Sequence, residues 1–279
     1  MTVLIVGGSG FLGAELVRQA AVAGHPTAAT YATRRPRSIP GVQWHALDLR
    51  DPTRVEAVMA EVRPRVVINA SSGMADWAVT AEGPVRLAMA AAKSGSRLVH
   101  VSSDAVFSGT RVHYDESCLP DPLTPYGAAK AAAETGILLV RPDAVVARTS
   151  LIIGNGRSVH ERTVHELATG ARAGVLFTDD VRCPVHVTDL ATALIELASG
   201  ESNGIHHLGG SDALSRHELG ILIARRDGLD GLDGSRLPAG LRADSTVPGP
   251  LDVRLDSRAT QRRLRTTLRG GHQFLMPTP

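Results

Sequence analysis

The stretch TVLIVGGSGFLG (residues 2–13) decides the fold. Its first part, TVLIV, is apolar and β-branched, which is typical of a short buried strand. The strand breaks into GGSGFLG, and AELVRQAAVAG (14–24) then shows the apolar spacing of a helix that ends at a glycine. A strand, a glycine-rich turn and a helix in this order predict a nucleotide-binding unit at the start of the chain.

The spacing of the glycines in this turn indicates what it binds. Gly7, Gly10 and Gly13 lie three residues apart. A dinucleotide site needs small residues here, because the backbone must turn tightly, admit a pyrophosphate and let the helix pack close to the sheet. We therefore predict that Gly7, Gly10, Phe11, Leu12 and Gly13 bind the cofactor. A glycine-rich turn without a ligand is the alternative.

The rest of the chain continues the alternation of strands and helices. Strands are expected at 26–32, 42–49, 65–71, 97–104 and 143–154, with helices at 51–64, 84–95 and from residue 124 onward. This order predicts an α/β fold, a Rossmann-type doubly wound parallel sheet covered on both faces. We expect a dinucleotide-binding domain at 1–155 and a smaller C-terminal substrate-binding lobe at 156–279, interleaved with the end of the sheet. In that lobe we expect helices at 160–174, 188–200 and 216–228, a strand at 204–210 and a loop at 227–250.

Composition excludes several classes of protein. The 279 residues are 43% hydrophobic and 21% charged, which is ordinary for a globular protein. The net charge of +2 is too small to indicate nucleic acid or an anionic membrane as partner. Apolar runs are too short for a membrane span or a signal peptide, so we expect a cytoplasmic protein. Cys118 and Cys183 form neither a disulfide framework nor a zinc motif, and no metal site is expected.

The segment TPYGAAKAAAE (124–134) places a phenol and an amine on one helix. Thr124 and Pro125 are typical of an N-cap and a first helical residue. Tyr126 and Lys130 are four residues apart and so share a face. Gly127 costs a helix about 1 kcal/mol relative to alanine, which suggests a close approach to the backbone there. A solvated helix that carries both side chains by chance is the alternative.

Residues after the second and third strands bear on the choice of cofactor. The second strand ends in YATRRPR (31–37), without the carboxylate that usually holds the ribose of NAD. Arg34 and Arg35 stand where a 2′-phosphate would lie, and guanidinium suits phosphate. We therefore favour NADP(H) over NAD(H), a solvated basic turn being the alternative. Asp48 follows the third strand and either meets the adenine or caps the strand.

Ser102 and Ser103 end the fifth predicted strand. Ligands of parallel sheets bind beyond the carboxyl ends of the strands. We expect these hydroxyls to face the cofactor cleft, although two serines can also simply form a turn.

These motifs together resemble the extended branch of the short-chain dehydrogenase/reductase superfamily. The resemblance is carried by GGSGFLG, by NASS (69–72), by VSSDAVF (101–107) and by Tyr126 with Lys130. The segments ARTSLIIG (147–154), VHVTDLATALIEL (185–197) and DVRLDSRATQRRL (252–264) narrow it to the dTDP-4-dehydrorhamnose reductase family. The resemblance spans most of the chain and weakens after residue 210.

The resemblance implies a catalytic role for three residues. Tyr126 would act as general acid towards a substrate carbonyl while a nicotinamide delivers hydride. Lys130 would lower the pKa of Tyr126. Tyr126 and Lys130 would both contact the cofactor, and Lys130 would hold the nicotinamide ribose. Ser103, which matches the family's threonine, would hydrogen-bond the substrate oxygen.

Further cofactor contacts are expected from residues near the ends of two strands. Asn69, Ala70 and Ser71 follow the fourth strand and would lie near the nicotinamide ribose. Asp48 and Leu49 follow the third strand and would lie near the adenine.

Two departures from the family pattern concern the sugar pocket. Ala105 and Leu151 stand where the family usually has aromatic residues, so a different nucleotide sugar or another carbonyl compound is plausible as substrate. The expected activity is NADPH-dependent reduction of a ketone. The alternatives are a nucleotide-sugar epimerase or dehydratase and a non-catalytic NADP-binding regulatory subunit. The resemblance also implies a homodimer that pairs through helices 84–94 and 125–139.

Overall fold

The computed structural model describes residues 1–229 and 237–276. Its centre is a parallel sheet of seven strands in the order β12-β7-β5-β4-β1-β2-β3. These strands are β1 (Val3–Val6), β2 (Thr27–Tyr31), β3 (Val42–Ala46), β4 (Val66–Asn69), β5 (Arg97–Ser103), β7 (Val145–Thr149) and β12 (Gly204–Leu208). The order reverses direction after β1, which is the doubly wound topology that the sequence predicted.

Helices cover both faces of the sheet. Helices α1 (Phe11–Val22) and α6 (Val187–Ser199) pack on one face, and α2 (Pro52–Val62), α3 (Gly83–Ser94) and α4 (Pro125–Val140) pack on the other. Leu16 and Leu190 are fully buried in the first layer, and Leu87 and Ile137 in the second. The inner strands are therefore buried on both sides, as a parallel sheet requires.

A smaller lobe is built from short elements with a core of their own. Its helices are α5 (Val159–Ala168), α7 (Arg216–Arg226), α8 (Arg258–Gln261) and α9 (Gly271–Leu275). Two-stranded pairs surround them, formed from β6 (Val112–Tyr114), β8 (Ile152–Ile153), β9 (Leu176–Phe177), β10 (Val181–Arg182), β11 (Val185–His186), β13 (Leu214–Ser215), β14 (Ala239–Gly240) and β15 (Val253–Leu255). Because β12 lies in the second half of the chain yet completes the large sheet, the two halves interleave. The boundary at residue 155 stays a prediction.

Three segments differ from the expectation. The strand predicted at 143–154 divides into β7 and β8, because the chain leaves the sheet at Ser150 and β8 pairs with β11 instead. The helix predicted at 160–174 ends at Ala168, before Gly170 with its φ of +72°. The loop predicted at 227–250 contains β14 and a 3₁₀ turn at 242–244, and its residues 230–236 lie outside the described part.

Within the described ranges, no helix is both long enough and apolar enough to cross a membrane.

Candidate active site

The glycine turn after β1 forms a tight backbone cradle. Gly7 has a φ of +80°, and its N–H donates to Thr30 Oγ1 on β2 at 3.1 Å. The Gly10 N–H donates to the Gly7 carbonyl at 2.9 Å. A β-carbon on Gly13 would lie 2.0 Å from that same carbonyl oxygen. The first turn of α1 can therefore approach the strand end only because these positions lack side chains.

A cavity of about 630 Å³ opens beside this turn, between the sheet and the smaller lobe. Its sheet side is lined by Gly10, Phe11, Leu12, Ala70, Ser71, Ser103, Tyr126 and Lys130. The structure thus brings together the predicted catalytic residues and part of the predicted cofactor site. The site lies at the carboxyl ends of the strands, where parallel sheets bind ligands.

The start of α4 places Tyr126 and Lys130 in this cavity. Thr124 Oγ1 accepts the Gly127 N–H at 3.1 Å, so the predicted N-cap is confirmed. Tyr126 and Lys130 lie on one face, with the lysine Nζ 6.0 Å from the centre of the phenol ring. Gly127 packs on the turn after β5, as its cost to the helix suggested.

The environment of Tyr126 does not lower its pKa. Burial raises the pKa of the phenol, the Asp104 carboxylate raises it further, and hydrogen bonding with Ser103 and Ser72 lowers it in part. The expectation that the Lys130 ammonium lowers the pKa of Tyr126 is therefore wrong for this structure. The Lys130 Nζ donates to the Val101 carbonyl at 3.0 Å, and Lys130 is not among the groups that shift the pKa of the phenol.

Lys130 is itself strongly affected by burial. The side chain is 2% exposed, and loss of hydration lowers its pKa to about 8, against a smaller opposing effect of Glu134. A buried ammonium group with a pKa near the working range is typical of functional sites.

The two serines at the end of β5 have different surroundings. Ser103 Oγ accepts the Ala105 N–H at 3.2 Å and hydrogen-bonds with Tyr126. Ser102 is 2% exposed, and its hydroxyl donates to the Glu134 carboxylate below the cavity. Both serines line the cavity, and Ser103 is the one that hydrogen-bonds with Tyr126; its role towards a substrate stays a prediction.

Several residues predicted to bind the cofactor do not line the cavity. Asn69 is buried and accepts the Ser71 N–H at 3.1 Å, so it shapes the turn that carries Ser71. Leu49 is 4% exposed and packs in the core against α2 and α3. Asp48 pairs with Arg50 at 2.6 Å, which holds the pKa of its carboxyl below its usual range. Their contacts with a cofactor stay predictions.

Arg34 and Arg35 are exposed just beyond β2, at the same sheet edge as the glycine turn. Among the residues described, neither forms an ion pair. Both guanidinium groups are thus accessible to a ligand at that edge.

The far end of the cavity carries charge that the sequence reading missed. Asp180 is 1% exposed and pairs with Arg182 at 3.0 Å, Arg216 at 3.3 Å and Arg242 at 3.0 Å. We call Arg182, Arg216 and Arg242 the arginine cluster. Arg157 and Arg162 line the same cavity, whose lining includes Asp104 and Asp180 as its two carboxylates. The excess of positive charge suits an anionic ligand.

No sequence motif predicts this cluster, because its members come from three separate segments of the smaller lobe. His160 also lines this end, with Nδ1 3.2 Å from Arg216 Nη1. Burial, with a smaller effect of Arg216, lowers the pKa of His160 to about 3, so its ring is neutral.

The model of the family described as "RmlD substrate binding domain" matches residues 1–269. The dTDP-4-dehydrorhamnose reductase of Mycobacterium tuberculosis is 31% identical over 81% of this chain and 76% of that protein. The β subunit of methionine adenosyltransferase 2 from Xenopus laevis is 27% identical over 79% of this chain and 70% of that protein. A crystal structure of a hypothetical dTDP-4-dehydrorhamnose reductase from Sulfolobus tokodaii superposes with a TM-score of 0.81 at 28% identity, over 96% of this chain and 97% of that one.

The matched family, the fold and the converging side chains agree with one another. The chain therefore belongs to the RmlD substrate binding domain family, as an NAD(P)-dependent oxidoreductase of the extended short-chain dehydrogenase/reductase type, similar to the dTDP-4-dehydrorhamnose reductases.

Proposed function

We propose that the protein is an NADPH-dependent reductase of a ketone, most simply a 4-keto nucleotide sugar or a related carbonyl compound. The observation that carries this proposal is the convergence of Tyr126, Lys130 and Ser103 in one cavity beside the glycine turn. A non-catalytic binding protein has no need of a phenol, an ammonium and a hydroxyl in this arrangement.

The residues present fit a nicotinamide dinucleotide. The glycine turn leaves its backbone open at the start of α1, where a pyrophosphate is favoured by the helix N-terminus. Ala70 and Ser71 line the wall between that turn and Tyr126. When bound, the cofactor supplies the hydride that reduces the carbonyl carbon.

Side chains of the protein supply the proton that the carbonyl oxygen receives. The raised pKa of Tyr126 keeps the phenol protonated at neutral pH, as a general acid requires. Tyr126 donates its proton to the carbonyl oxygen, while Ser103 donates a hydrogen bond to that oxygen. The Ser72 hydroxyl stabilises the phenolate that remains, and Lys130 binds the ribose.

The charges of the site support the choice of both ligands. Arg34 and Arg35 can bind a 2′-phosphate, which supports NADP(H) over NAD(H). Arg216 and Arg242 of the arginine cluster would bind the diphosphate of a nucleotide sugar, because guanidinium groups bind phosphate oxygens in a bidentate manner. Arg182 is buried and donates to the Val181, Leu251 and Pro250 carbonyls, so it would act through its charge alone. Ala105 and Leu151 line the cavity where the family usually carries aromatic side chains, so the sugar pocket differs from that of a dTDP-4-dehydrorhamnose reductase.

Turnover of NADPH with a panel of keto nucleotide sugars and simple ketones tests this function. We expect NADPH oxidation with at least one nucleotide-linked ketone and little with the matching free sugar. Tight NADPH binding without turnover on any carbonyl would instead favour a non-catalytic NADP-binding subunit. The likeness to the β subunit of methionine adenosyltransferase 2 is the observation behind that second candidate.

We also propose a homodimer that pairs through residues 84–94 and 125–139. Met89 on α3 and Leu139 on α4 are 50% and 79% exposed, although both are large and apolar. Light scattering at micromolar concentration tests this pairing, and a monomer would refute it.

A further inference from the structure

Beneath the active site lies a buried ion pair that the proposed reaction does not use. Glu134 and Arg148 are each 3% exposed at their side chains, and Arg148 Nη2 lies 2.8 Å from Glu134 Oε2. Arg148 Nε also donates to the same carboxylate at 3.1 Å. Burying two charges costs free energy, so stability alone does not explain why this pair is present.

The position of Glu134 in the fold suggests that reason. Tyr126, Lys130 and Glu134 follow one another at intervals of four residues, so all three lie on one face of α4. That face looks onto the ends of β5 and β7. The carboxylate accepts hydrogen bonds from Ser102, next to Ser103 on β5, and from Arg148 on β7. One side chain therefore connects the helix to both strands.

We propose that Glu134 is a positioning residue, whose buried carboxylate holds Lys130 and Ser103 in fixed relation by binding Ser102 and Arg148 at once. The proposal rests on the proposed reductase function for its catalytic consequence. Its structural consequence, the fixed environment of Lys130, can be measured without turnover.

The electrostatics of Lys130 agree with this role. Glu134 is the group that opposes the loss of ammonium charge on burial and so keeps the pKa of Lys130 from falling further. Of the other groups around Lys130, His100 on β5 is neutral, because burial and the lysine hold its pKa well below its ordinary value. Other charged or titratable groups on the packed elements include Tyr126 on α4, Asp104 after β5, Arg148 on β7 and, behind it, His207 on β12.

The small number of lysines allows the titration of Lys130 to be observed directly. The chain contains only two lysines, Lys93 and Lys130. Lys93 lies on α3 with 68% of its side chain exposed, paired with Glu56. Lysine labelled with ¹³C at Cε therefore gives two NMR signals, of which Lys93 is the internal control. A Lys93→Arg variant assigns the signals.

The test compares wild type with the double variant Glu134→Gln/Arg148→Met. Replacing both partners avoids leaving one buried charge without its counterion, which would destabilise the fold by itself. We expect the Lys130 signal to titrate with a midpoint of about 8 in the wild type and at lower pH in the variant, with Lys93 unchanged. We also expect kcat to fall about tenfold or more with little change in KM, because misplaced catalytic groups slow the chemical step.

A control breaks another ion pair, that of buried Glu161 and partly exposed Arg226 in the smaller lobe, at 2.7 Å. Glu161→Gln/Arg226→Met should leave the Lys130 midpoint where the wild type has it. The proposal is overturned if the Glu134 variant titrates like wild type, if the control shifts Lys130 equally, or if the Glu134 variant keeps wild-type kcat. If wild type reduces no carbonyl compound, the proposed function fails, yet the titration still tests whether Glu134 governs the environment of Lys130.

Discussion

Gly127 packs on Ala105 so closely that a β-carbon at position 127 would lie 2.0 Å from the Ala105 carbonyl oxygen. This contact joins the first turn of α4 to the 3₁₀ turn at Asp104–Val106. It therefore sets how near Tyr126 on the helix comes to Ser103 at the end of β5.

Gly127→Ala should separate those two elements. Because the oxygen in the way belongs to the backbone, the helix must move, and we expect a loss of about 1–3 kcal/mol in the free energy of unfolding. We expect kcat to fall about tenfold or more, since small displacements of catalytic groups are costly. Gly200→Ala, where a β-carbon would meet nothing closer than 3.4 Å, is the matched control. Wild-type kcat in Gly127→Ala would show that the contact does not set the geometry.

Tyr126→Phe removes the phenol oxygen and leaves the ring. We expect turnover to fall by about 10²–10⁴, the usual contribution of a general acid. Fluorescence titration with NADPH should give a nearly unchanged affinity, because the substitution removes one hydroxyl while the other expected cofactor contacts stay. Tyr31→Phe, at the end of β2 and outside the cavity lining, should keep full turnover. Retained activity in Tyr126→Phe would refute the catalytic assignment.

Lys130→Met should be inactive yet more stable than the wild type. Folding lowers the pKa of Lys130 from 10.5 to about 8, so the buried charge reduces stability below pH 8. After subtraction of the lost hydrogen bond to Val101, we expect a gain of about 2 kcal/mol at pH 7 in urea unfolding. This gain in stability should shrink as the pH rises from 8 to 10.5, because Lys130 of the unfolded wild type also loses its proton near pH 10.5. A less stable Lys130→Met at pH 7 would contradict this.

Replacing Arg34 and Arg35 together by alanine should alter the choice of cofactor. We expect the Kd for NADPH to rise about tenfold, because a charge-assisted contact with the 2′-phosphate is lost. The Kd for NADH should stay the same. Calorimetry with both cofactors measures the ratio, and Arg265→Ala, with a side chain 99% exposed, is the control. Equal affinity of the wild type for the two cofactors would remove the argument for NADP(H).

Arg242→Met should weaken substrate binding without slowing the chemistry. Arg242 belongs to the arginine cluster and stacks on Phe177, 4.3 Å from the ring centre. We expect KM for a nucleotide-linked ketone to rise about tenfold with kcat nearly unchanged, the pattern of lost uniform binding. Arg258→Met, at a side chain 84% exposed, should leave KM unchanged. A fall in kcat alone would place Arg242 in the chemical step instead.

The sequence predicted the features that depend on neighbouring residues. The glycine turn, the N-cap of α4 and the shared face of Tyr126 and Lys130 follow from spacings of a few residues, and the structure has each of them. Six strands of the sheet were predicted because most of them are short apolar runs, whereas the seventh, β12, was predicted as a strand of the smaller lobe.

Features that depend on distant residues could not be predicted in this way. The strand expected to run to residue 154 ends at Thr149, because Ser150 turns away to donate to Asp104 at 2.7 Å. The pKa of Tyr126 depends on where the Lys130 Nζ points, which spacing along a helix does not determine. The arginine cluster comes from three segments that are adjacent only in the folded lobe.

Because the arginine cluster comes from separate segments of the smaller lobe, the residues proposed for the reaction and those proposed for ligand recognition lie on different parts of the fold. The proposed proton donor and cofactor cradle lie on the large sheet and on the helices packed against it, whereas the arginines proposed to bind an anionic ligand come from short segments of the smaller lobe. We expect that exchanging those segments would change which anionic compound is bound and leave the reaction unchanged.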